Sequence, residues 1–223
     1  MTAAPFVVAV DGPAASGKGT LAKRLAVHFG LSHLDTGLLY RAVGSQVLSK
    51  SMDLDNEEAA AAVASQLDLS GLDADFLAQH HIGEAASRVA VHPSVRAALL
   101  QAQRAFAAMM PGAVLDGRDI GTVVCPDASA KLFVTASLSA RAGRRHKQAL
   151  RADSSAVYDV ILADLKRRDA RDAGRKDAPM MRAKDALLLD TTNMSIDAAF
   201  EEAQAFVAKQ RDKLAASPSV ADR

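Results

Sequence analysis

Short apolar runs alternate with helical patterns along most of the chain. Residues 6–10 form an apolar, β-branched run, which is typical of a strand buried on both faces. From 18 to 29 the spacing becomes helical, with Leu21 and Leu25 on one face, and Gly30 follows as a helix stop. By the same criteria, further strands are predicted just before residue 35 and over 113–116, 130–135 and 186–190, and further helices over 37–48, 56–66, 94–109, 137–150, 155–168 and 196–214. Five strands that alternate with helices predict a parallel sheet between helical layers, a three-layer α/β fold.

Two internal stretches do not follow this alternation. Residues 68–81 alternate poorly and are predicted to form a loop or a small insertion. Residues 141–184 hold 13 Lys and Arg against 6 Asp, a net charge of +7, whereas the whole chain carries +1. This basic run includes Gly174 and Pro179 and shows no apolar stripe, so we expect a mobile segment between two helices rather than a pair of solvated basic helices. The polar tail 215–223 is expected to fray.

Composition narrows the class of protein. Hydrophobic residues make up 49% of the chain, which excludes intrinsic disorder. A net charge of +1 argues against a dedicated nucleic-acid or membrane-surface binder. No apolar run reaches the roughly 18 residues of a membrane-spanning helix, and the first residues lack the basic start of a signal peptide. Cys125 is the single cysteine, so an intrachain disulfide is impossible and a reducing cytoplasm is the expected compartment.

A glycine-rich loop joins the first predicted strand to the first predicted helix, which is the context that a phosphate-binding P-loop requires. Its glycines let backbone N–H groups turn toward phosphate oxygens, and the helix start adds partial positive charge. Lys18 is placed to reach the β- and γ-phosphates of ATP. Gly19 separates Lys18 from Thr20, so no direct Mg²⁺ ligand is expected from this loop. The predicted ATP-binding residues are Gly12, Pro13, Ala14, Ala15, Ser16, Gly17, Lys18, Gly19 and Thr20.

Other signals favour a small phosphotransferase among P-loop proteins. The guanine-reading Asn/Thr-Lys-x-Asp of GTPases is missing from the sequence. The run 113–116, which ends in Asp116, is only a short version of the acidic strand of large ATPases. Near-neutral charge and the lack of a basic face interleaved with aromatic residues count against an RNA- or DNA-binding ATPase. A catalytically idle nucleotide sensor would not need the arginines described below.

Four motifs carry a family resemblance. GPAASGKGT together with LDTGLLYRA resembles the nucleoside monophosphate kinases. DGRDIGTVVCPDA at 116–128 and RRDARDAGR at 167–175 narrow this resemblance to the bacterial cytidylate kinases, from about residue 5 to residue 210. Many bacterial members carry a longer insertion with a small β-meander where this chain has 66–84, so the shape of that region is not predicted.

The resemblance implies an organisation and a reaction. It implies a P-loop fold whose five-stranded sheet carries a small acceptor-binding lobe and a short lid. The expected division of the single domain 1–223 is a core at about 1–35, 111–168 and 185–214, a lobe at 36–110 and a lid at 169–184. It also implies a monomer that uses ATP with Mg²⁺ to convert CMP or dCMP into CDP or dCDP, with no nucleic-acid or membrane partner. Kinases that act on UMP, AMP or shikimate are the alternatives.

The acceptor site follows from chemistry and resemblance together. The guanidinium fork of Arg41 suits a nucleotide phosphate. Arg118 and Asp119 follow the carboxyl end of a predicted strand, where α/β sheets bind ligands. A carboxylate accepts from the cytosine N4 amino group and an arginine donates to N3 and O2, whereas uracil reverses the first two groups. By resemblance Asp119 and Arg96 form this pair, and Ser87 lies nearby.

The lid residues recur at helical spacing. Arg168, Asp172 and Arg175 share one face if the helix persists. By resemblance the two arginines approach the transferring phosphoryl group and Asp172 the sugar hydroxyls, while Arg171 stays in solvent or pairs on the ATP side. Phosphoryl transfer depends on positioning and charge neutralisation rather than on a base. The predicted catalytic residues are Lys18, Arg118, Arg168 and Arg175. The predicted acceptor-binding residues are Thr36, Tyr40, Arg41, Ser87, Arg96, Arg118, Asp119, Arg168, Asp172 and Arg175, and no metal-ligating residue is predicted.

Overall fold

A five-stranded parallel sheet forms the centre of the molecule in a computed structural model, which describes residues 4–68, 71–151 and 154–216. The strands are β1 (Phe6–Asp11), β2 (Ser32–Asp35), β3 (Gly112–Gly117), β4 (Ala130–Thr135) and β5 (Leu187–Asp190). They lie in the order β2-β3-β1-β4-β5, and every neighbouring pair is parallel. The predicted three-layer α/β fold with five parallel strands is confirmed.

Helices follow or connect the strands. They are α1 (Lys18–Phe29), α2 (Thr36–Ser49), α3 (Glu57–Ser65), α4 (Ala74–Leu77), α5 (His80–Val89), α6 (Pro93–Ala107), α7 (Leu138–Ala149), α8 (Tyr158–Ala173) and α9 (Ile196–Ala216). A π-helical turn covers Ile120–Val124. Two of the helix ends lie where the sequence signals predict them: Gly30 in the left-handed conformation closes α1, and Pro93 occupies the first turn of α6.

The sheet is buried on both faces, which explains the continuous apolar runs of its central strands. Val8 and Val10 of β1 pack with α1 and α9 on one face. Ala9 faces the other side, where it packs with α6 and the π-helical turn. Because side chains alternate between the two faces along a strand, the apolar run of five residues contributes to two separate cores.

A second hydrophobic core lies away from the sheet and holds α2, α3, α5 and α6 together. Leu39, Val43 and Val47 of α2 face Val89 of α5 and Leu99 of α6, and all five side chains are buried. This core fixes α5 beside α2, which carries the acceptor-site residues that follow β2.

The predicted loop at 68–81 is wrong in part. Helix α4 lies within it and α5 begins at its end, while residues 69–70 lie outside the described ranges. Leu77 and Ile82 bury their side chains against Ala42 of α2. A helix of four residues gives too few apolar positions for a readable period, so tertiary contacts decide this segment. The described part of 66–84 contains no strand.

The basic run 141–184 is also more helical than expected. Helix α8 extends to Ala173, five residues beyond the predicted end, so the run lies largely in α7 and α8. Ala142, Ile161 and Leu165 pack against Ala14 of the P-loop. The expectation that the run has no apolar stripe is therefore wrong, because a narrow stripe at i,i+4 spacing is enough to seat α8. Of the predicted tail, residues 217–223 lie outside the described ranges.

Candidate active site

A cavity of about 620 Å³ opens at the carboxyl edge of the sheet, between the P-loop, the ends of β2 and β3, and helices α5, α7 and α8. All ten predicted acceptor-binding residues line it. Seven of the nine predicted P-loop residues also line it, while Gly12 and Pro13 are buried beside β4 and outside the lining. The structure therefore brings the predicted residues, which are scattered from 14 to 175 in the sequence, around one space.

Close backbone contacts shape the P-loop. Gly12 has φ 147°, and a Cβ at this position would lie 2.0 Å from the carbonyl oxygen of Val134 in β4. Only glycine fits such an approach. Gly17, with φ 92°, stands at the start of α1, and the Thr191 hydroxyl donates to the Ser16 carbonyl at 3.0 Å. The loop therefore packs against β4 and is tied to the segment that follows β5.

Charges of both signs surround Lys18. Burial, reinforced by the Arg118 charge, lowers the pKa of the Lys18 ammonium to about 8. Two carboxylates act on Lys18, those of Asp35 and Asp116, and these two residues are paired across strands β2 and β3. Burial and repulsion from Asp116 raise the pKa of Asp35, while Asp116 contacts His33 Nε2 at 2.8 Å. The sequence analysis missed Asp35 as a site residue, although its position at the end of a parallel strand was a usable signal.

The far end of the cavity carries the predicted base-reading pair. Arg96 of α6 forms a buried ion pair with Asp119, and the two residues are 9% and 5% exposed. Burial raises the pKa of Asp119 and Arg96 opposes that effect. The Arg96 guanidinium lies 5.8 Å from the centre of the Tyr40 ring, and Ser87 is 5% exposed on the adjacent α5. Arg96 is therefore a buried residue of the cavity wall and not a solvated surface cation.

A cluster of arginines lies between the two ends. Asp172 binds Arg118 Nε at 2.8 Å and also pairs with Arg175. Burial alone would raise the pKa of Asp172, but these two guanidinium groups hold it below its usual range. Burial, with the Arg118 charge, lowers the pKa of Arg168 to about 10. The buried Nε atoms of Arg168 and Arg175 have no partner among the described residues, so the cluster has unused donors and excess positive charge suited to an anion.

Arg41 lines the cavity but is held by backbone in this structure. Its Nη1 donates to the Leu77 carbonyl at 2.7 Å, at the end of α4. Burial lowers the pKa of Arg41, and the Arg145 charge adds to that effect. Nη1 also donates to the Gln79 carbonyl at 3.4 Å, so an anion in the cavity would compete with two carbonyls for this guanidinium.

Asp11 supports the segment that carries Asp119, and sequence reasoning missed it. Its Oδ1 accepts from the Ile120 N–H at 2.7 Å and its Oδ2 from the Gly121 N–H at 2.8 Å. Burial raises the pKa of this carboxyl to about 7. The carboxylate lies at the end of β1, so it ties the start of the P-loop to the π-helical turn directly after Asp119. No local pattern marks this contact, because its partners are 109 and 110 residues away.

The donor end of the cavity contains further residues that sequence reasoning missed. Arg144 of α7 donates to the Thr191 hydroxyl at 3.0 Å, and Thr191 follows β5. Met194 and Ile196, at the start of α9, line the same end. These residues appeared in the sequence only as part of a basic run and as a helix start, so their position beside the P-loop depends on tertiary packing.

Arg171 does not lie where the resemblance suggested. It was expected in solvent or on the ATP side, but its guanidinium contacts α5. Nη1 donates to Ser87 Oγ at 2.9 Å and Nη2 to Glu84 Oε1 at 2.8 Å. The expectation is wrong because α8 continues to Ala173, and this continuation turns Arg171 toward the acceptor lobe.

Solved structures with related architecture support the fold. A gluconokinase from Sinorhizobium meliloti 1021 superposes with a TM-score of 0.52 at 14% identity, over 96% of this chain and 98% of that chain. An uncharacterized protein from Eubacterium ventriosum gives a TM-score of 0.55 at 12% identity, over 91% of this chain and 98% of that chain. At such identities the likeness concerns the fold alone.

Sequence comparisons are far more specific. The family model described as "Cytidylate kinase" matches residues 8–209. A cytidylate kinase of Brucella suis is 58% identical over 204 residues, which cover 92% of this chain and 93% of the relative. A cytidylate kinase of Rhizobium meliloti is 56% identical over 202 residues, 91% of this chain and 95% of the relative. The matched range includes the P-loop, the base-reading pair and the arginine cluster, and the chain belongs to the cytidylate kinase family.

Proposed function

We propose that the protein transfers the γ-phosphoryl group of ATP to CMP or dCMP and so produces ADP with CDP or dCDP. One observation carries the proposal: a single cavity joins the P-loop at one end to the Arg96–Asp119 pair at the other, with the arginine cluster between them. Family membership supports the same reaction.

The Arg96–Asp119 pair suits cytosine. In the free protein each side chain satisfies the other, so neither charge is left buried alone. A cytosine edge would accept from Arg96 through N3 and O2 and donate to Asp119 through N4. Uracil would place O4 against the carboxylate and N3–H against the arginine. Such mispaired buried groups discriminate strongly between ligands.

The arginine cluster and Lys18 supply the charge that phosphoryl transfer requires. Lys18 contacts the donor phosphates from the P-loop side, while Arg118, Arg168 and Arg175 hold the acceptor phosphate and the transferring group. The acceptor phosphate is already an ionised nucleophile, so no general base is needed. The unused Nε donors of Arg168 and Arg175 support this assignment.

Asp172 is proposed to meet the sugar hydroxyls of the acceptor. It is buried, 3% exposed, and pairing with Arg118 and Arg175 keeps it ionised. A carboxylate accepts hydrogen bonds from hydroxyl groups of ribose. Deoxyribose retains the 3′-hydroxyl, which is why we include dCMP beside CMP.

Mg²⁺ is proposed to enter with ATP. The described residues contain no group of three or more carboxylate, imidazole or thiol ligands that could hold a metal unaided. Asp35 and Asp116 nevertheless place two neighbouring carboxylates beside Lys18, and their mutual repulsion is relieved by a nearby cation. Mg²⁺ keeps several waters and is bound mainly by phosphates, so these carboxylates would accept from its waters. The ion would neutralise phosphate charge during transfer.

The organisation and setting of the enzyme are part of the proposal. We divide the chain into a core, an acceptor-binding lobe at about 36–110 and a lid at 169–184, because the lobe has its own hydrophobic core. We further propose that the enzyme is a monomer that works on ATP and CMP in the cytoplasm. Within the described ranges, no helix combines the length and apolarity needed to cross a membrane.

A coupled assay that follows ADP with a panel of acceptors tests the reaction. CMP and dCMP should be the best acceptors, and UMP, AMP and shikimate should be poor ones. Preferential phosphorylation of UMP, AMP or shikimate would replace the proposed acceptor. ATP turnover that needs DNA or RNA instead of a nucleoside monophosphate would place the protein in another functional class.

A further inference from the structure

Arg171 joins the two walls of the acceptor half of the cavity. Its guanidinium reaches from α8 to α5 and contacts two side chains three residues apart, Glu84 and Ser87. Residues at this spacing share a helix face, and the planar fork of arginine matches two such acceptors. The residue lies next to Asp172, which faces the arginine cluster.

The ion pair between Arg171 and Glu84 orients the two side chains more than it stabilises the fold. The side chains of Arg171 and Glu84 are 25% and 32% exposed, and ion pairs in such settings add little to folding. Burial alone would raise the pKa of Glu84, but the hydrogen bond from Arg171 holds it below its usual range. Glu84 is therefore charged near neutral pH and orients the guanidinium.

The second contact acts on a residue that lines the cavity. Ser87 is 5% exposed, and a serine hydroxyl has one proton and two lone pairs. Arg171 occupies one lone pair at 2.9 Å and so fixes the position of Oγ. The proton and the other lone pair remain available to a ligand in the cavity.

We propose that Arg171 is a positioning residue for the acceptor nucleotide, which acts by holding Ser87 Oγ in place while Glu84 orients its guanidinium. The inference rests on the proposed function. Arg171 does not contact the P-loop end, so its effect should fall on CMP and not on ATP.

The structure offers a control on the same two helices. His80, at the start of α5, contacts Asp164 of α8 at 2.8 Å and is 62% exposed. His80→Ala removes this bridge between α5 and α8 without touching Ser87. Lys166→Ala removes an exposed cation from α8. If Arg171 acted only as a generic tie or through overall charge, these variants would reproduce the effect of its loss.

The test combines CMP binding by calorimetry without ATP and steady-state kinetics. Arg171→Ala should weaken CMP binding and raise the KM for CMP about 10-fold, as expected for one charge-assisted hydrogen bond, with the KM for ATP unchanged. Arg171→Lys should recover part of the loss. His80→Ala and Lys166→Ala should bind CMP like the parent protein.

A double-mutant cycle decides whether Arg171 acts through Ser87. In a Ser87→Ala background, Arg171→Ala should change CMP binding less than about 2-fold, because its target is already gone. A full additive loss in that background overturns the proposal, as does normal CMP binding by Arg171→Ala. If Arg171→Ala does not fold, Arg171→Lys is used in the same cycle. A parent protein that ignores CMP would overturn the proposed function, whereas a parent that uses CMP and an unaffected Arg171→Ala overturn this inference alone.

Discussion

At the residue scale, the site is a set of buried charges that satisfy one another until a ligand arrives. Arg96 pairs with Asp119, and Arg118 pairs with Asp172. Isolated buried charges are costly, so pairing keeps the empty site stable while the same groups remain able to exchange partners. The resemblance had already placed Arg96 with Asp119 at the base, whereas it gave Arg118 and Asp172 separate roles.

Lys18 gives the first prediction. Lys18→Ala should lower turnover by about 10³-fold, because charge developing on the donor phosphates loses its ammonium partner. CMP binding should survive, since Lys18 lies at the donor end. Single-turnover kinetics and CMP calorimetry measure the two effects. Lys23→Ala, on the exposed side of α1, is the control. Near-normal turnover in Lys18→Ala would remove the P-loop assignment.

The titration of Lys18 gives a pH prediction. Its pKa is about 8 in the folded protein against an ordinary 10.5. Phosphate binding requires the ammonium form, so ATP binding should take up a proton and weaken by up to about 10-fold per pH unit above 8. Between pH 8 and 10.5 the unfolded chain holds more protons than the folded one. The cost of burying the Lys18 ammonium therefore falls, and the free energy of unfolding rises, as pH increases through this range.

Calorimetry in buffers of different ionisation enthalpy measures this proton uptake. Lys18→Arg stays protonated throughout and should abolish it. Uptake that persists in Lys18→Arg would assign the titration to another group.

Asp119 gives a prediction about specificity. Asp119→Asn should lower the ratio of kcat/KM for CMP over UMP by at least about 10-fold, because an amide both donates and accepts and so tolerates uracil O4. Asp127→Asn, an exposed acid in the same segment, should leave the ratio unchanged. An unaltered ratio in Asp119→Asn would show that this carboxylate does not read the base.

At the scale of elements, the π-helical turn Ile120–Val124 depends on one distant side chain. Asp11 accepts from two of its backbone N–H groups, at 2.7 and 2.8 Å. This π-helical turn begins directly after Asp119 and so sets the direction of that residue. Asp11, at the end of β1, therefore links the π-helical turn to the site, and no helical or strand period in the sequence reveals this link.

Removing this anchor should affect both folding and the acceptor site. Asp11→Ala leaves two buried N–H groups without an acceptor and should cost about 2–4 kcal/mol of unfolding free energy. Asp11→Asn keeps one acceptor and should cost about half as much. Urea unfolding measures both, and the KM for CMP should rise more than the KM for ATP. A loss below about 0.5 kcal/mol in Asp11→Ala would mean that the turn holds itself.

At the scale of the whole molecule, charge is unevenly divided. The run 141–184 carries a net +7, while the chain as a whole carries +1. Arg144 and Arg145 of α7 and Arg168 of α8 line the cavity, so we expect bound nucleotides to attract this part of the basic segment. Closure of the basic segment over bound nucleotides would exclude water and so limit wasteful ATP hydrolysis.

Hydrogen exchange should therefore change with ligation. Within the proposed lid 169–184, residues 169–173 belong to α8 and should be protected throughout. Only residues 174–184, which lie outside helices and strands, should exchange faster without ligand. CMP should give partial protection of 174–184, and CMP with a non-hydrolysable ATP analogue the most. Equal exchange of 174–184 in all three states would mean that this segment is not a lid.

The sequence alone determined the features that short-range physics controls. Apolar period located the five strands and most helices, and the strand–glycine loop–helix order around Lys18 marked the phosphate site, because these signals depend on neighbouring residues. Tertiary structure alone decided the distant contacts: Arg118 meets Asp172 across 54 residues, Asp11 meets Ile120 across 109, and Arg171 meets Ser87 across 84. These partners are polar and carry no period. Their meeting depends on hydrophobic packing: one core holds α5 and α6 beside α2, and a separate cluster seats α8 against Ala14 of the P-loop.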